Sequence, residues 1–117
     1  MRLEERDLSY LWDLREATRS IARIVQGLTL ESFVFDELVR YAVERQLILI
    51  GEAARRVSAE FKTSYPELPW RQMIAQRNVL IHEYGEVSAE LVWRTATNDL
   101  PVLVQQLDVL LPKDDEE

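Results

Sequence analysis

Apolar positions recur at three-to-four spacing over four long stretches of this chain, the period of amphipathic helices. Over residues 4–26, Leu8, Leu11, Trp12, Leu14, Ile21, Ile24 and Val25 predict a first helix, with Gly27 as its stop. The segment LTLESFVF reads as a connector or short helical turn, with Thr29 a candidate N-cap. Asp36 is placed to start a second helix that runs to about Phe61. The centre of that helix, LILIGEAA, is apolar on nearly every side, which predicts the most buried helix of the four. KTSYPELPW breaks the pattern, because two prolines three residues apart push their predecessors out of helical geometry. A third helix is expected from Pro69 or Trp70, fading before Gly85. Ser88 is placed to cap a fourth that runs towards Leu111, and Pro101 predicts a kink or a restart within it.

No stretch alternates as a strand does, and three glycines and four prolines leave few turns. The expected fold is all-α: an antiparallel four-helix bundle with short connections and a short extra helical turn. Its 117 residues suffice for a single core, so residues 1–112 are read as one helical domain and 113–117 as an acidic tail.

Composition narrows the chemistry. The chain has no cysteine, which excludes disulfides, thiolate zinc sites and cysteine nucleophiles and suits a cytoplasmic protein. One histidine excludes a multi-histidine metal centre within a single chain. The N-terminus MRLEERDLSYLW is too charged for a secretory signal, and no apolar run reaches membrane-spanning length. A net charge of −7 argues against indiscriminate binding to nucleic acid. The tail KDDEE supplies −3 of that total, so a local basic patch on the body stays open. Arg40, Arg45, Arg55, Arg56, Arg71 and Arg77 are its candidates.

The segment AQRNVLIHEYGEV holds the one histidine, His82, between Arg77 and Tyr84. At about 100° per residue, Trp70, Met73, Ile74, Leu80 and Ile81 form one apolar stripe, with Arg77 in its middle. A guanidinium there needs an anion or several acceptors. Two readings stand: a structural ion pair, with Glu52 as the candidate partner, or a phosphate held in a cleft by arginine's planar fork. His82 falls about 140° round the helix from Arg77, one turn after Asn78. The two groups converge only if the helix ends near His82 or if a two-fold dimer brings one subunit's histidine to the other's arginine. Taken alone, His82 reads as a solvated or hydrogen-bonded helix-end residue and Tyr84 as the end of a core stripe. Arg45, Glu52 and Arg71 read as surface charges or structural pairs.

RNVLIHEY carries the Arg-x4-His-x-Tyr pattern, and the chain resembles the HepT-like toxin branch of the HEPN superfamily. LIGEAARRVSAEF, YPELPWRQMIAQRNVLIHEYG and LVWRTATNDLPVL are similar to stretches of that branch, in the same order and at similar spacing. The resemblance covers nearly the whole chain. It implies a HEPN-like helical bundle that forms a homodimer, with the motifs of both subunits lining one cleft. It also implies a metal-independent endoribonuclease toxin of a type VII-like toxin–antitoxin system, acting on an RNA substrate, tRNA or mRNA, without a cofactor. The implied partner is an MntA-type nucleotidyltransferase antitoxin, which transfers AMP from ATP onto the motif tyrosine. Carried onto this chain, Arg77 and His82 are catalytic, Asn78 is a supporting polar group and Tyr84 accepts AMP. Arg45, Glu52 and Arg71 remain as RNA-binding or structural residues. The alternative is a non-catalytic helical subunit that docks a nucleotidyltransferase and presents nucleotide or substrate to it.

Overall fold

The computed structural model describes residues 5–82 and 87–112, and every regular element within them is helical. Tyr84, Gly85 and the acidic tail 113–117 lie outside the described residues. Helix α1 spans Glu5–Val25 and ends at Gly27, whose φ of 78° is open to glycine at little steric cost. Thr29 opens the short α2, Leu30–Val34, through a capping box with Ser32: each side chain accepts from the other's backbone N–H. Asp36 caps α3, Glu37–Arg56, by accepting from the Val39 N–H. After the short α4, Ala59–Ser64, the chain passes Pro66 and Pro69 and enters α5, Trp70–His82. Ser88 caps α6, Ala89–Arg94, which runs through a π-helical turn, Thr95–Asp99, into α7, Leu100–Leu110. Pro101 lies in the first turn of α7, where its missing N–H does no harm.

Four helical rods therefore make the bundle: α1, α3, α5 and the α6–α7 run. Helix α3 packs against both α1 and α5, and α7 packs against α1. Helices α5 and α7 do not close tightly on each other. An apolar groove of about 700 Å³ lies between them, lined by Leu47, Ile50, Met73, Leu80, Leu100 and Leu103 among others. The core itself joins Leu11, Leu14 and Ile21 of α1 with Phe33, Val43, Leu47, Ile50, Val92, Leu103 and Leu107. No helix among the described residues is long and apolar enough to cross a membrane.

Two expectations are corrected. Helix α3 stops at Arg56, not near Phe61, because Val57 is extended and Ser58 caps a new helix. The reason is non-local. The buried Asp7 carboxylate accepts from the Ser58 N–H at 2.9 Å and the Ser58 hydroxyl at 2.7 Å, fixing a corner between α1 and α4. Nor is α3 the most deeply buried helix. Leu49, in its apolar centre, is 36% exposed, whereas α1 buries polar Asp7, Arg15 and Thr18 as well as its apolar stripe. Arg15, 1% exposed, lies over the Trp12 ring and reaches Asp108 of α7.

The Asp7 corner yields a stability prediction. Asp7→Ala leaves the buried side of the Ser58 cap without its acceptor, and an unsatisfied buried donor costs about 1–3 kcal/mol. A urea melt is expected to move its midpoint down by that amount divided by an unchanged m-value. An unshifted midpoint shows that water replaces the carboxylate.

Candidate active site

Helix α5 is anchored at its start. The Trp70 indole N–H donates to the Tyr65 carbonyl at 2.9 Å, and its ring meets Phe61 edge-on. From that anchor the apolar stripe falls as its spacing predicts, with Trp70 and Met73 buried and Ile74 and Leu80 packed on the core. Arg77 is half-buried within the stripe. It can be there because α3 offers Gly51 opposite. A Cβ placed on Gly51 would collide with the Arg77 Cβ and lie 2.7 Å from the Met73 carbonyl oxygen. The two helices cross at a point where one has no side chain.

The Arg77 head group turns outward from this crossing. Its Nη1 donates to Asn78 Oδ1 at 2.8 Å, while its Nε is buried without a hydrogen-bond partner. Among the described residues no ion pair joins Arg77 to Glu52 or to any other carboxylate, so the structural-pair reading has no counterpart. Asn78 shares an exposed stripe with Arg71, seven residues before it, and His82, four after. His82 is the last described residue of α5. The guanidinium thus reaches from the core stripe to the stripe that carries the imidazole, by way of Asn78.

The remaining nominated residues are spread along α3. Arg45 is exposed. Glu52 is half-buried and lines a second groove of about 370 Å³ between α1 and α3, together with Asp13, Glu16 and Arg56. Arg55 and Arg56 are exposed at the end of α3, and Arg40 is half-buried near its start with its own Nε buried and unpaired. Next to it the Tyr41 hydroxyl is pushed up from its usual range by the Glu37 carboxylate, to which it donates at 3.2 Å. The large apolar groove lies on the other flank of α5, lined by Gln72, Gln76 and Val79, and includes neither Arg77 nor His82.

Gly51 is the site residue that sequence reading passed over. Its signal was present: a lone glycine inside an apolar helical run usually marks a close approach of another backbone.

A family model described as Ribonuclease HepT-like matches residues 14–110. Probable ribonuclease HepT of Thermococcus cleftensis is 37% identical over 101 residues, covering 86% of this chain and 92% of that protein. Putative RNase MJ1380 of Methanocaldococcus jannaschii is 29% identical over 109 residues, covering 92% of this chain and 100% of its own length. Putative RNase TTE0752 of Caldanaerobacter subterraneus subsp. tengcongensis is 31% identical over 105 residues, covering 90% and 94%. No solved structure gives a significant match. With a match that runs from the middle of α1 to the end of α7 and includes the whole Gly51–Arg77 crossing, the chain belongs to the HepT-like ribonuclease family.

Proposed function

We propose that this protein is a metal-independent endoribonuclease toxin that cuts RNA by attack of the substrate's own 2′-hydroxyl, with Arg77 and His82 as its catalytic groups. The observation that carries the reading is the state of Arg77. Its stem packs over Gly51 at the α3 crossing, and its guanidinium has no carboxylate partner among the described residues and keeps a buried donor unpaired. A positive charge held this way suits a phosphate whose negative charge grows in the transition state. His82, exposed on α5, suits proton transfer to or from the reacting oxygens. Asn78 supports the Arg77 head group through its side-chain oxygen.

The same reading includes a homodimer and an off switch. Ile48 of α3 and Ile81 of α5 are half-buried, so the α3–α5 face offers apolar area beside Asn78 and His82. Pairing across that face brings two sets of motif residues to one cleft. An MntA-type nucleotidyltransferase partner then transfers AMP from ATP to the Tyr84 oxygen and releases pyrophosphate. The adenylate adds bulk and negative charge next to His82 in sequence, which repels an RNA phosphate.

Two measurements test this. The purified protein is expected to cut RNA with excess EDTA present and to leave uncut a substrate whose reactive 2′-hydroxyl is replaced by hydrogen. Failure of the unmodified protein to cut any RNA favours the non-catalytic binding subunit instead. Incubation with ATP and the partner is expected to add the mass of AMP to wild type and none to Tyr84→Phe. Equal gain by both moves the acceptor to another residue.

A further inference from the structure

Nine large apolar side chains are exposed among the described residues, and four of them, Leu30, Phe35, Leu38 and Tyr41, fall within twelve positions at the α2–α3 junction. Phe35 is 83% exposed and Leu38 81%, so neither adds to the core. A single exposed leucine is ordinary, whereas several apolar side chains together, aromatics among them, have the composition of a binding surface. Phe35 ends α2, and Leu38 and Tyr41, three residues apart, are neighbours on one side of the start of α3. The corner that presents them is fixed from below. Phe33 is fully buried against the Trp93 ring of α6, with centroids 5.2 Å apart, and the Tyr41 hydroxyl donates to Glu37 in the first turn of α3.

This corner lies at the end of the bundle that carries the motif connection. Helices α3 and α5 run antiparallel: Phe61, shortly after the end of α3, meets Trp70 at the start of α5, so α3 begins where α5 finishes. The Phe33–Trp93 contact ties α2 to α6, the helix that follows α5. Residues 83–88, Tyr84 among them, join those two helices. At 1.5 Å per residue, Leu38 lies about 20 Å along α3 from the Gly51 crossing, and His82 about 10 Å along α5 from it. The patch is therefore near the motif connection and clear of the Arg77 crossing.

Charge selects what can cover it. From Leu30 to Glu44 the chain carries four carboxylates, Glu31, Asp36, Glu37 and Glu44, and one guanidinium, Arg40. Glu31, Asp36 and Glu37 are exposed, whereas Arg40 is half-buried and lies over the Tyr41 ring, 5.9 Å from its centre. Arg45, one turn beyond Tyr41, marks the far limit of this acidic stretch. Such a rim repels an RNA backbone and an anionic lipid surface. It also repels the same rim of a second copy placed across a two-fold axis. A protein surface with apolar groups framed by lysine or arginine is the complement.

We propose that Phe35, Leu38 and Tyr41, with Glu31 and Glu37 at their edge, form the docking surface for the AMP-transferring partner, which covers them with an apolar pocket flanked by basic side chains. This rests on the reading of Tyr84 as the AMP acceptor. A partner seated here holds the end of the bundle from which Tyr84 is reached. Recognition of the protein substrate and its inactivation then use different residues, because the grip includes neither Arg77 nor His82.

The test is the steady-state rate of AMP transfer by the purified nucleotidyltransferase, measured against the concentration of this full-length chain, with a binding titration of the same pair. The double variant Phe35→Ser/Leu38→Ser is expected to raise KM and Kd about 30-fold or more, the scale of a lost interface hot spot, with kcat unchanged. Its RNA cleavage and thermal midpoint should match wild type, because both side chains are exposed. Glu31→Lys, a single exposed change that supplies the answer should the double variant not fold, is expected to raise KM at low salt and to approach wild type at high salt. Unchanged KM and Kd in these variants overturn the docking surface, as does a fall in kcat alone. A double variant that loses self-association, or RNA affinity, while keeping the partner assigns the patch to a second copy or to RNA instead. Those results with wild type still gaining AMP sink the surface alone. A wild-type protein that neither binds the nucleotidyltransferase nor gains AMP sinks the off-switch reading itself.

Discussion

Arg77→Met is expected to lower RNA cleavage by about 100- to 1000-fold at saturating substrate, the loss seen when one charge-stabilising donor is removed from a transition state. Methionine is the informative choice because it separates two roles of the same side chain. The Arg77 stem fills the crossing over Gly51, and truncation to alanine removes that packing along with the charge. Methionine retains the volume and removes only the guanidinium, so the thermal midpoint should hold while the rate falls. Arg77→Lys keeps a charge but loses the planar fork, and an intermediate rate is expected from it. His82→Ala is expected to be as damaging, with a loss of about 100- to 10,000-fold. His82 is exposed, so its removal leaves stability within about 0.5 kcal/mol. The decisive comparison is binding against turnover on one RNA. An Arg77→Met protein that binds and cuts like wild type would show that the guanidinium serves the fold and that the phosphate is held elsewhere.

Local chemistry made most of the fold legible before any coordinates. Gly27, Thr29, Asp36, Ser88 and Pro101 each act within one turn of their own position, so their roles follow from residue type. The end of α3 was misplaced because its cause is far away. Ser58 starts a new helix with support from Asp7, 51 residues earlier, and no window around Ser58 contains that partner. The burial of α3 was overstated for a related reason. An apolar run shows which residues can be buried, but the packing of neighbours decides which are, and nothing covers Leu49 fully. At the site, the placement of Arg77 in an apolar stripe was readable from periodicity alone. Its surroundings were not, because they depend on how α5 crosses α3, and Glu52 sits one residue past the position that α5 meets.

Gly51→Ala is the second large effect expected, and here two opposing terms must be weighed. Alanine in a helix interior is favoured over glycine by about 0.5–1 kcal/mol, so an open position would gain stability. Gly51 is not open. The added methyl would collide with the Arg77 Cβ and sit 2.7 Å from the Met73 carbonyl oxygen and 2.9 Å from the Arg77 Cγ. The first two of these atoms are backbone or bonded directly to it, so a rotamer change relieves neither and α5 must move away from α3. Overpacking of this kind costs about 1–3 kcal/mol and outweighs the propensity gain, leaving a net loss of about 1–2 kcal/mol. Gly51→Val adds two further methyl groups and gives up most of that gain, so its loss should exceed that of alanine. Activity is expected to fall further than stability. A displacement near 1 Å of a catalytic group can lower a rate about 100-fold, and the shift moves Arg77 together with α5. Cleavage measured well below the midpoint, where both proteins are folded, isolates this term. A Gly51→Ala protein with wild-type rate and a raised midpoint would mean that the crossing has slack, and that Arg77 is held in place by something other than the close approach of the two helices.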